Sequence, residues 1–347
     1  MTELSTGARR ERVMIPHSRA LWKRVTLTRE AAVIGMLALV IVVAMNVVPN
    51  FDSPLTVTFL LRDLAPILLI ALPMTLIIIT EEIDLSVASI VALSSVTVGI
   101  LTRDGAPFEL AMVMGVLVGA AAGAINGFLV TVVGLPSLAV TIGSLAMFRG
   151  ISVGLLGTQA VTDFPDTWTS LARANIPGTP VPAIMVVFVV LAAIFAIVLH
   201  ATPFGRGLYA IGLNQEAAHF SGVNVARTKF VLFVVSGAVS GFAGVYFTLL
   251  YGNARGENAT GMELAIIAAV LLGGVSIFGG RGAIHGVIAG VLLIGIIGSA
   301  LRLAGVTADI INVITGVVLV LSVVGTSFLA WLQRSRASAR ARGGNQG

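Results

Sequence analysis

Ten apolar runs constrain the fold of this chain more than any other feature of its sequence. Each is close to the length of about 20 residues that an α-helix needs to cross a bilayer. They lie at 31–49, 56–80, 84–101, 109–133, 136–156, 181–200, 229–250, 263–280, 283–301 and 308–331. Only 11% of the 347 residues are charged, so the polar stripes of soluble amphipathic helices are missing. We predict an all-α polytopic membrane protein with about ten transmembrane helices.

Basic residues predict how these helices are oriented. Before the first run lie Arg9, Arg10, Arg12, Arg19, Lys23, Arg24 and Arg29, and after the last lie Arg334, Arg336, Arg340 and Arg342. An even number of spans places both termini on one side, and positive charge marks that side as the cytoplasm. We therefore expect a cytoplasmic segment at 1–30, a transmembrane domain at 31–331 with a cytoplasmic loop at 201–228, and a basic cytoplasmic tail at 332–347. Charge at the ends indicates topology and no nucleic-acid partner.

Glycines recur at every fourth position in two of the runs. The fourth run contains Gly115, Gly119, Gly123 and Gly127, and the ninth contains Gly282, Gly286 and Gly290. Such ridges of small residues let helices approach closely in lipid, so we assign these glycines to helix packing. The two runs are five spans apart, and five is an odd number. A duplication of five helices would therefore be inverted across the membrane, and a 5+5 inverted repeat is one arrangement that fits.

Several kinds of chemistry are excluded by composition. The chain has no cysteine, which removes disulfides, thiolate metal sites and cysteine nucleophiles. Its two lysines, Lys23 and Lys229, do not follow glycine, so no Walker A phosphate loop is present. The four histidines have no metal-like spacing. We expect no catalytic residue, no metal and no cofactor of its own.

A polar stretch between the sixth and seventh runs has the pattern of a short helix. It reads TPFGRGLYAIGLNQEAAHFSGVNVARTK over residues 202–229. Asn214 is a good N-cap, Glu216 suits the positive end of a helix, and Gly222 can end the helix in a left-handed conformation. Such a helix would be exposed to the cytoplasm. It is either an ordinary interhelical turn or a docking element for a partner.

The stretch TEEIDLSVAS, residues 80–89, places three carboxylates between apolar runs. Ionisable groups within membrane spans mark functional sites. For Asp84 a structural role also fits, because Asp84 or Ser86 would be the N-cap of the third span. Glu81 and Glu82 have two open geometries. They are either solvated at the cytoplasmic surface, or they line a polar cavity where the chain breaks inside the bilayer.

Three segments resemble the membrane permeases of ribose-type, or monosaccharide, ATP-binding-cassette (ABC) importers. The loop carries Gly205, Arg206, Tyr209, Ala210, Gly212, Asn214, Glu216, Ala217, Ala218, Ser221, Gly222 and Val225. The segment LLGGVSIFGGRGAIHGVIAG carries Gly273, Gly274, Ser276, Gly279, Gly280 and Gly282. The third, around the fifth run, carries Asn126, Gly127, Val130, Thr131, Pro136, Thr141, Gly143, Arg149 and Gly150. IDLSVAS is also similar to a family motif, but Glu81 and Glu82 replace its glycines and Ala88 its last glycine. The resemblance covers roughly residues 55 to 330.

The resemblance implies a permease subunit of the bacterial inner membrane that moves a monosaccharide. A soluble sugar-binding protein would deliver the sugar, and a second permease copy or a homologous permease would complete the pathway. A separate ABC-type ATPase subunit would bind ATP. Coupling to that ATPase would use Gly205, Arg206, Asn214, Glu216, Ala217, Ala218 and Gly222. Apart from the resemblance, ionisable residues within the spans mark candidate functional sites, which selects Arg149 together with the three carboxylates. A possible pathway or helix junction is therefore expected at Glu81, Glu82, Asp84, Ser86, Asn126, Thr141 and Arg149.

Two other classes of function make different predictions. An ion-coupled secondary transporter of a small polar solute also uses broken helices and membrane carboxylates, but it would take up solute without partners. A purely structural membrane scaffold would transport nothing. An ABC importer predicts ATP-dependent uptake that requires the ATPase and the binding protein. The sequence does not identify the sugar.

Overall fold

The computed structural model describes residues 29–314, 316, 317 and 320. The predicted tail at 332–347 and all but the last two residues of the predicted segment at 1–30 lie outside these residues. The described chain is helical and contains no strand, only two isolated β-bridges. Its helices are α1 Arg29–Val47, α2 Pro54–Ile79, α3 Val87–Arg103, α4 Phe108–Thr131, α5 Ser137–Leu156, α6 Asp166–Ala172, α7 Ile184–Ala201, α8 Pro203–Leu213, α9 Gln215–Phe220, α10 Val225–Tyr251, α11 Met262–Leu272 and α12 Ile284–Leu303.

Among the described residues, seven helices are long and apolar enough to cross a membrane: α1, α2, α4, α5, α7, α10 and α12. The shorter apolar helices α3 and α11 coincide with the predicted third and eighth spans. Residues 308–314 are helical and begin the predicted tenth span, most of which lies outside the described residues. The all-helical, multi-pass class is therefore confirmed, and the count of ten stays a prediction.

Connections between the helices gather at two ends of the bundle. Those at the predicted cytoplasmic face are 80–86, 132–136, 202–224 and 273–283, and those at the predicted outer face are 48–53, 104–107, 157–183 and 252–261. At the first face the Gly280 amide donates a hydrogen bond of 2.9 Å to the Ile79 carbonyl. At the second, Val161 and Ala254 form an antiparallel bridge. Segments distant in sequence thus meet on the face to which the alternating spans assign them.

Three helices, α2, α3 and α10, form the centre of the bundle. Every residue of α2 from Leu68 to Ile79 is buried, and α3 is buried from Val87 to Val96. α10 packs against α2, α3 and α4. By contrast α1, α4, α5 and α7 expose many large apolar side chains, as expected of helices that face lipid. The centre of the bundle is therefore enclosed by protein on all sides, and the connection between α2 and α3 emerges from it.

Glycines on α4 fit directly against the backbone of α10. A Cβ on Gly119 would lie 2.5 Å from the Gly237 carbonyl oxygen, and one on Gly123 would overlap the Phe233 carbonyl. Gly115 and Gly127 also approach neighbouring side chains, so all four predicted glycines are in close contact. The glycine ridge of α4 thus lies in close contact with α10.

The second glycine ridge is shorter than the sequence predicts. Gly286 and Gly290 of α12 contact the backbone of Gly273 and Ala269 at the end of α11. Gly282 is a correction, because α12 begins at Ile284 and Gly282 lies in the preceding turn. The sequence gives no sign that the helix begins at Ile284. Gly282 was assigned to the ridge only because it lies four residues before Gly286.

The eighth predicted span also ends earlier than its apolar run. The sequence predicts helix over 263–280, whereas α11 ends at Leu272. Residues 273–283 form turns, with left-handed backbone at Gly274, Gly279 and Gly280 (φ of +95°, +70° and +69°). Glycine is counted as apolar but favours such turns over helix, and this explains the difference.

Candidate pathway and coupling site

The connection between α2 and α3 is a non-helical segment held in place by α5. The amide of Ile83 donates a hydrogen bond of 3.2 Å to Ser137 Oγ. Thr141 Oγ1 donates one of 3.2 Å to the Ile83 carbonyl. The backbone amide and carbonyl of Ile83 are thus both hydrogen-bonded to hydroxyl groups that lie one helical turn apart on α5. Lipid could form neither of these bonds. We call residues 80–86 the α2–α3 break.

Asp84 lies at the centre of a fully buried polar cluster. Its Oδ1 accepts hydrogen bonds from the Ser86 amide at 3.0 Å and from Ser86 Oγ at 2.6 Å. Asn126 of α4 donates to Ser86 Oγ at 2.8 Å, and Ser144 of α5 donates to the Asn126 side-chain oxygen. Ser236 of α10 donates to Asp84 Oδ2 at 3.3 Å. The cluster joins the break to three helices through hydrogen bonds that a buried carboxylate requires.

The capping at this junction differs in detail from the prediction. Ser86 occupies the N-cap position of α3, but its side chain makes no capping bond. Asp84 lies two residues before the N-cap Ser86 and accepts the amide of Ser86 itself. Asp84 therefore organises the entry to α3 through a tight turn ahead of the helix.

The structure brings most, but not all, of the predicted pathway residues together. Asp84, Ser86 and Asn126 share one cluster, and Thr141 holds the adjacent break. Arg149 has different partners: its Nη1 donates to the carbonyls of Gly256 at 2.8 Å and Asn258 at 2.7 Å. It fastens α5 to the 252–261 connection. Sequence reasoning missed Ser137 and Ser144, whose spacing with Thr141 (positions 137, 141 and 144) marks one face of a helix.

Glu81 and Glu82 have different surroundings, so neither open geometry applies to both. Glu81 is exposed and has a left-handed backbone (φ +66°), a conformation that favours glycine. The Glu82 side chain is 13% exposed and forms an ion pair with Lys229, which is 8% exposed. Lys229 also donates a hydrogen bond of 2.8 Å to Gln215 Oε1. Glu81 therefore belongs to the surface and Glu82 to a partly buried polar link.

The position of Lys229 is itself a correction. The sequence predicts that the seventh span starts at 229, with this lysine adjacent to a cytoplasmic loop. α10 instead starts at Val225, because Asn224 caps it by accepting the Arg227 amide at 3.0 Å. Lys229 is therefore in the second turn of a helix and buried. Hydropathy detects the apolar part of a helix and not the polar turn before it.

An open cavity of about 730 Å³ lies beside this link at the predicted cytoplasmic face. Its walls come from the end of α4, the 132–136 connection, α9 and the start of α10. Glu82, Lys229 and Gln215 line it together with Glu216 and His219. The cavity gives the polar link between the break and α9 a solvent-accessible side.

The loop between α7 and α10 folds as two short capped helices. Thr202 caps α8 by accepting the Gly205 amide at 3.1 Å. Asn214 caps α9 by accepting the Ala217 amide at 2.9 Å, which confirms the predicted N-cap. Gly222 follows α9 with a left-handed φ of +91°. The predicted short helix is therefore present, with defined ends.

The predicted coupling residues divide between an exposed surface and an inner support. Arg206, Asn214, Glu216, Ala217 and Gly222 are exposed, whereas Gly205 and Ala218 are buried. Beside the exposed group two large apolar side chains face outward, Leu213 at 70% and Phe220 at 88% exposure. Charged, small and apolar groups thus form one surface around α9, which we call the α9 surface.

α8 holds this surface firmly to the bundle. Tyr209 donates a hydrogen bond of 2.7 Å to the Gly282 carbonyl. Burial raises the pKa of the Tyr209 phenol, so it remains a hydrogen-bond donor. Gly212 lies against the Ile79 carbonyl and the Gly280 amide, where any Cβ would overlap backbone atoms. The end of α2, α8 and the 273–283 turns therefore meet through their backbones.

Comparison with known proteins identifies the family. Residues 56–323 match the family model described as "Branched-chain amino acid transport system / permease component". The chain belongs to this family of membrane permeases. It is 34% identical over 291 residues to the autoinducer 2 import system permease protein LsrD of Yersinia enterocolitica, covering 80% of this chain and 87% of the relative. The LsrD proteins of Yersinia pseudotuberculosis and Yersinia pestis are 32% identical over 292 residues, with the same coverage. No solved structure matches the chain.

These findings confirm the resemblance seen in the sequence. The chain is a multi-pass inner-membrane permease of the ABC sugar-importer type. It is a transporter subunit, and importers of this class work with an ATPase and a binding protein. The roles of individual residues stay predictions.

Proposed function

We propose that two copies of this permease, or one copy and a homologous permease, form the path of a monosaccharide into the cytoplasm. A soluble binding protein delivers the sugar at the outer face, and a separate ATPase docks on the α9 surface. The observation that carries this proposal is the rigid, capped α9 surface, which is joined by hydrogen bonds and backbone contacts to the α2–α3 break. A transporter driven by a partner needs such a connection between docking surface and spans.

In this proposal the chain has ten spans in a 5+5 inverted repeat, with both termini cytoplasmic. Helix packing supports the repeat. Counting spans, α2 and α10 are the second and seventh, and each packs against the other repeat: α10 against α3 and α4, α2 against α11 and α12. Within each repeat the corresponding neighbours also pack, α3 with α4 and α11 with α12. An inverted duplication would generate this pairing.

The second permease copy is assigned to the open face of α5. Among the described helices, it packs mainly against α3 and α4. An added Cβ at Gly143, Gly150 or Gly154 would meet no described atom within 4 Å. Close packing inside this chain therefore does not explain these glycines. A partner helix in the membrane would, since small residues let two helices approach.

ATP is bound by the partner ATPase, and the chain itself needs no cofactor. Glu216, Arg206 and Asn214 present charge and hydrogen-bonding groups on the α9 surface, with Ala217 and Gly222 leaving room beside them. Gly205 and Ala218 support the surface from within. Phe220 and Leu213 supply the apolar contact area that a docking protein would bury.

The substrate is a small neutral polyol, for which dense hydrogen bonding is the main means of recognition. The Asp84 cluster and Thr141 are buried and bonded within the protein, so in this proposal they order the α2–α3 break beside the path rather than bind the sugar themselves. Two other substrates need testing: autoinducer 2, the cargo named for the LsrD relatives, and branched-chain amino acids, named in the family description.

The test is uptake into proteoliposomes that contain the permease with its copurified ATPase and binding protein. Radiolabelled ribose, xylose, glucose, autoinducer 2 and leucine are supplied separately. ATP is added or omitted on the side of the membrane where the ATPase lies. ATP-dependent uptake of a sugar that also requires the binding protein supports the proposal. Uptake of leucine alone would replace the sugar assignment. Uptake by the permease without partners, abolished by a proton or sodium ionophore, would establish an ion-coupled transporter instead.

A further inference from the structure

The buried ion pair between Glu82 and Lys229 has no place in the motifs that led to the family. In the resemblance noted from the sequence, Glu82 stands where the motif has a glycine, so the motif assigns this carboxylate no role. A paired charge with side chains only 13% and 8% exposed is costly to maintain unless its geometry is good, because both groups lose solvation. Its position between two functional elements provides a reason for it.

On one side, the pair reaches the α9 surface. Lys229 Nζ donates to Gln215 Oε1 at 2.8 Å, and Gln215 is the first residue of α9, next to the cap Asn214. A displacement of α9 by a docked protein therefore acts on the ammonium group directly. Glu216, at the exposed surface, is the adjacent residue.

On the other side, the pair reaches α5 through a single residue. Glu82 is followed by Ile83, whose amide and carbonyl are bonded to Ser137 and Thr141 of α5 at 3.2 Å each. The segment is non-helical, so no internal hydrogen-bond ladder competes with these contacts. The bonded path thus runs from Gln215 to Lys229, Glu82, the Ile83 backbone and α5.

We propose that Glu82 and Lys229 are positioning residues that transmit movement of α9 to α5, and so couple ATP hydrolysis to opening of the sugar path. This inference rests on the proposed function. A ligand or partner shifts a conformational equilibrium only through contacts that differ between the states. The Lys229 bonds to α9 and to the break are contacts through which such a shift can pass.

The experiment compares Glu82→Gln with Glu81→Gln in the reconstituted complex with copurified ATPase and binding protein. The two variants remove the same charge from adjacent residues, one in the link and one exposed. ATPase attachment, ATP hydrolysis and uptake of ribose, xylose and glucose are measured together. We expect Glu82→Gln to keep the ATPase attached while sugar uptake per ATP hydrolysed falls about tenfold. Glu81→Gln should match the wild type.

The reversed pair Glu82→Lys with Lys229→Glu tests the link itself. It should recover more coupling than either single reversal, because the ion pair is restored with opposite polarity. If Glu82→Gln does not fold, Gln215→Ala tests the same link. It removes the acceptor of the Lys229 bond at an exposed position, so we again expect sugar uptake per ATP hydrolysed to fall.

Three results overturn parts of the scheme, and they can be told apart. Normal coupling in Glu82→Gln or in its substitute Gln215→Ala, or equal loss in Glu81→Gln, overturns the link alone. Detachment of the ATPase in Glu82→Gln would assign Glu82 to docking and overturn transmission. A wild-type complex without ATP-dependent sugar uptake overturns the proposed function, and the link with it.

Discussion

The glycines of α4 and α5 look alike in sequence but have opposite surroundings. On α4, Gly119 and Gly123 lie against backbone atoms of α10, and a side chain there would overlap them. On α5, Gly150 and Gly154 meet no described atom where a Cβ would be placed. The first set is explained by packing within this chain. The second set needs a different reason, and we assign it to a second permease.

The same difference extends to the polar residues of the two helices. Asn126 of α4 is buried, three residues after Gly123, and bonds to Ser86 and Ser144. α5 also turns its hydroxyls inward, to the break, while its opposite face carries exposed apolar residues such as Ile142 and Met147. The glycines and Asn126 of α4 therefore contact other parts of this chain. α5 contacts the α2–α3 break on one side, and its opposite face is exposed.

Gly123→Ala should have the largest effect on stability. The new methyl group would overlap the Phe233 carbonyl of α10, so the helices must separate. Overpacking of this kind costs about 1–3 kcal/mol, and rigid backbone on both sides favours the upper end. Thermal unfolding of the purified permease in detergent measures the loss. Gly150→Ala is the matched control and should unfold at or above the wild-type temperature, since alanine favours helix. Equal loss in both variants would contradict the comparison.

Asn126→Ala should follow in size. It removes the side-chain amide and leaves Ser86 and Ser144 without their bonds to it, at a cost of about 1–3 kcal/mol. We also expect it to lower sugar uptake, because the cluster orders the break. Asn46→Ala on α1 is the control, since Asn46 is exposed and bonds only within its own helix. Unfolding and uptake both unchanged in Asn126→Ala would rule out an organising role for the cluster.

Glu81→Gly tests a glycine position of another kind, where backbone conformation and not close approach is the constraint. A left-handed conformation costs a residue with a side chain about 1–2 kcal/mol relative to glycine. The greater freedom of glycine in the unfolded chain offsets part of this gain. We expect a net stabilisation of about 1 kcal/mol or less, seen as a small rise in unfolding temperature. Glu81→Gln should leave stability unchanged, and destabilisation by Glu81→Gly would show that its left-handed backbone carries no strain.

Gly150→Cys should change stability least while reporting on assembly. The chain has no cysteine, so a single new thiol can cross-link only to another copy or to a partner protein. In membranes treated with an oxidant we expect a disulfide-linked dimer. Val190→Cys, on the exposed face of α7, is the control and should give little dimer. Cross-linking through Val190 but not Gly150 would move the proposed interface away from α5.

The sequence predicted nine of the helices because lipid makes hydropathy and helix nearly the same signal. It also predicted the α4 ridge and the cap at Asn214, where the pattern of residues defines the local geometry directly. The prediction was wrong where an apolar segment does not form a helix. The helix over 263–280 and the ridge position of Gly282 were wrong for this reason, since glycine turns are as apolar as glycine helices.

The site was predicted less completely than the fold. Asp84, Ser86, Asn126 and Thr141 were selected by type and by resemblance, and the structure brings them together. The Glu82 and Lys229 pair lies 147 positions apart in sequence, and no local pattern marks it. Arg149 was selected as a buried charge, but a long side chain can reach distant carbonyls, and only the fold shows which ones.

The backbone contact between Gly212, Ile79 and Gly280 has a consequence for how the importer responds to its surroundings. Peptide groups do not titrate between pH 5 and 8, and glycine has no rotamers to rearrange. The Gly280 amide and the Ile79 carbonyl are both uncharged, so their 2.9 Å hydrogen bond does not depend on the protonation of any side chain. The anchorage of α8 is therefore mechanically constant. Changes in pH or ionic strength would therefore act on the neighbouring charged side chains, such as Glu82 and Lys229, and leave this backbone contact unchanged.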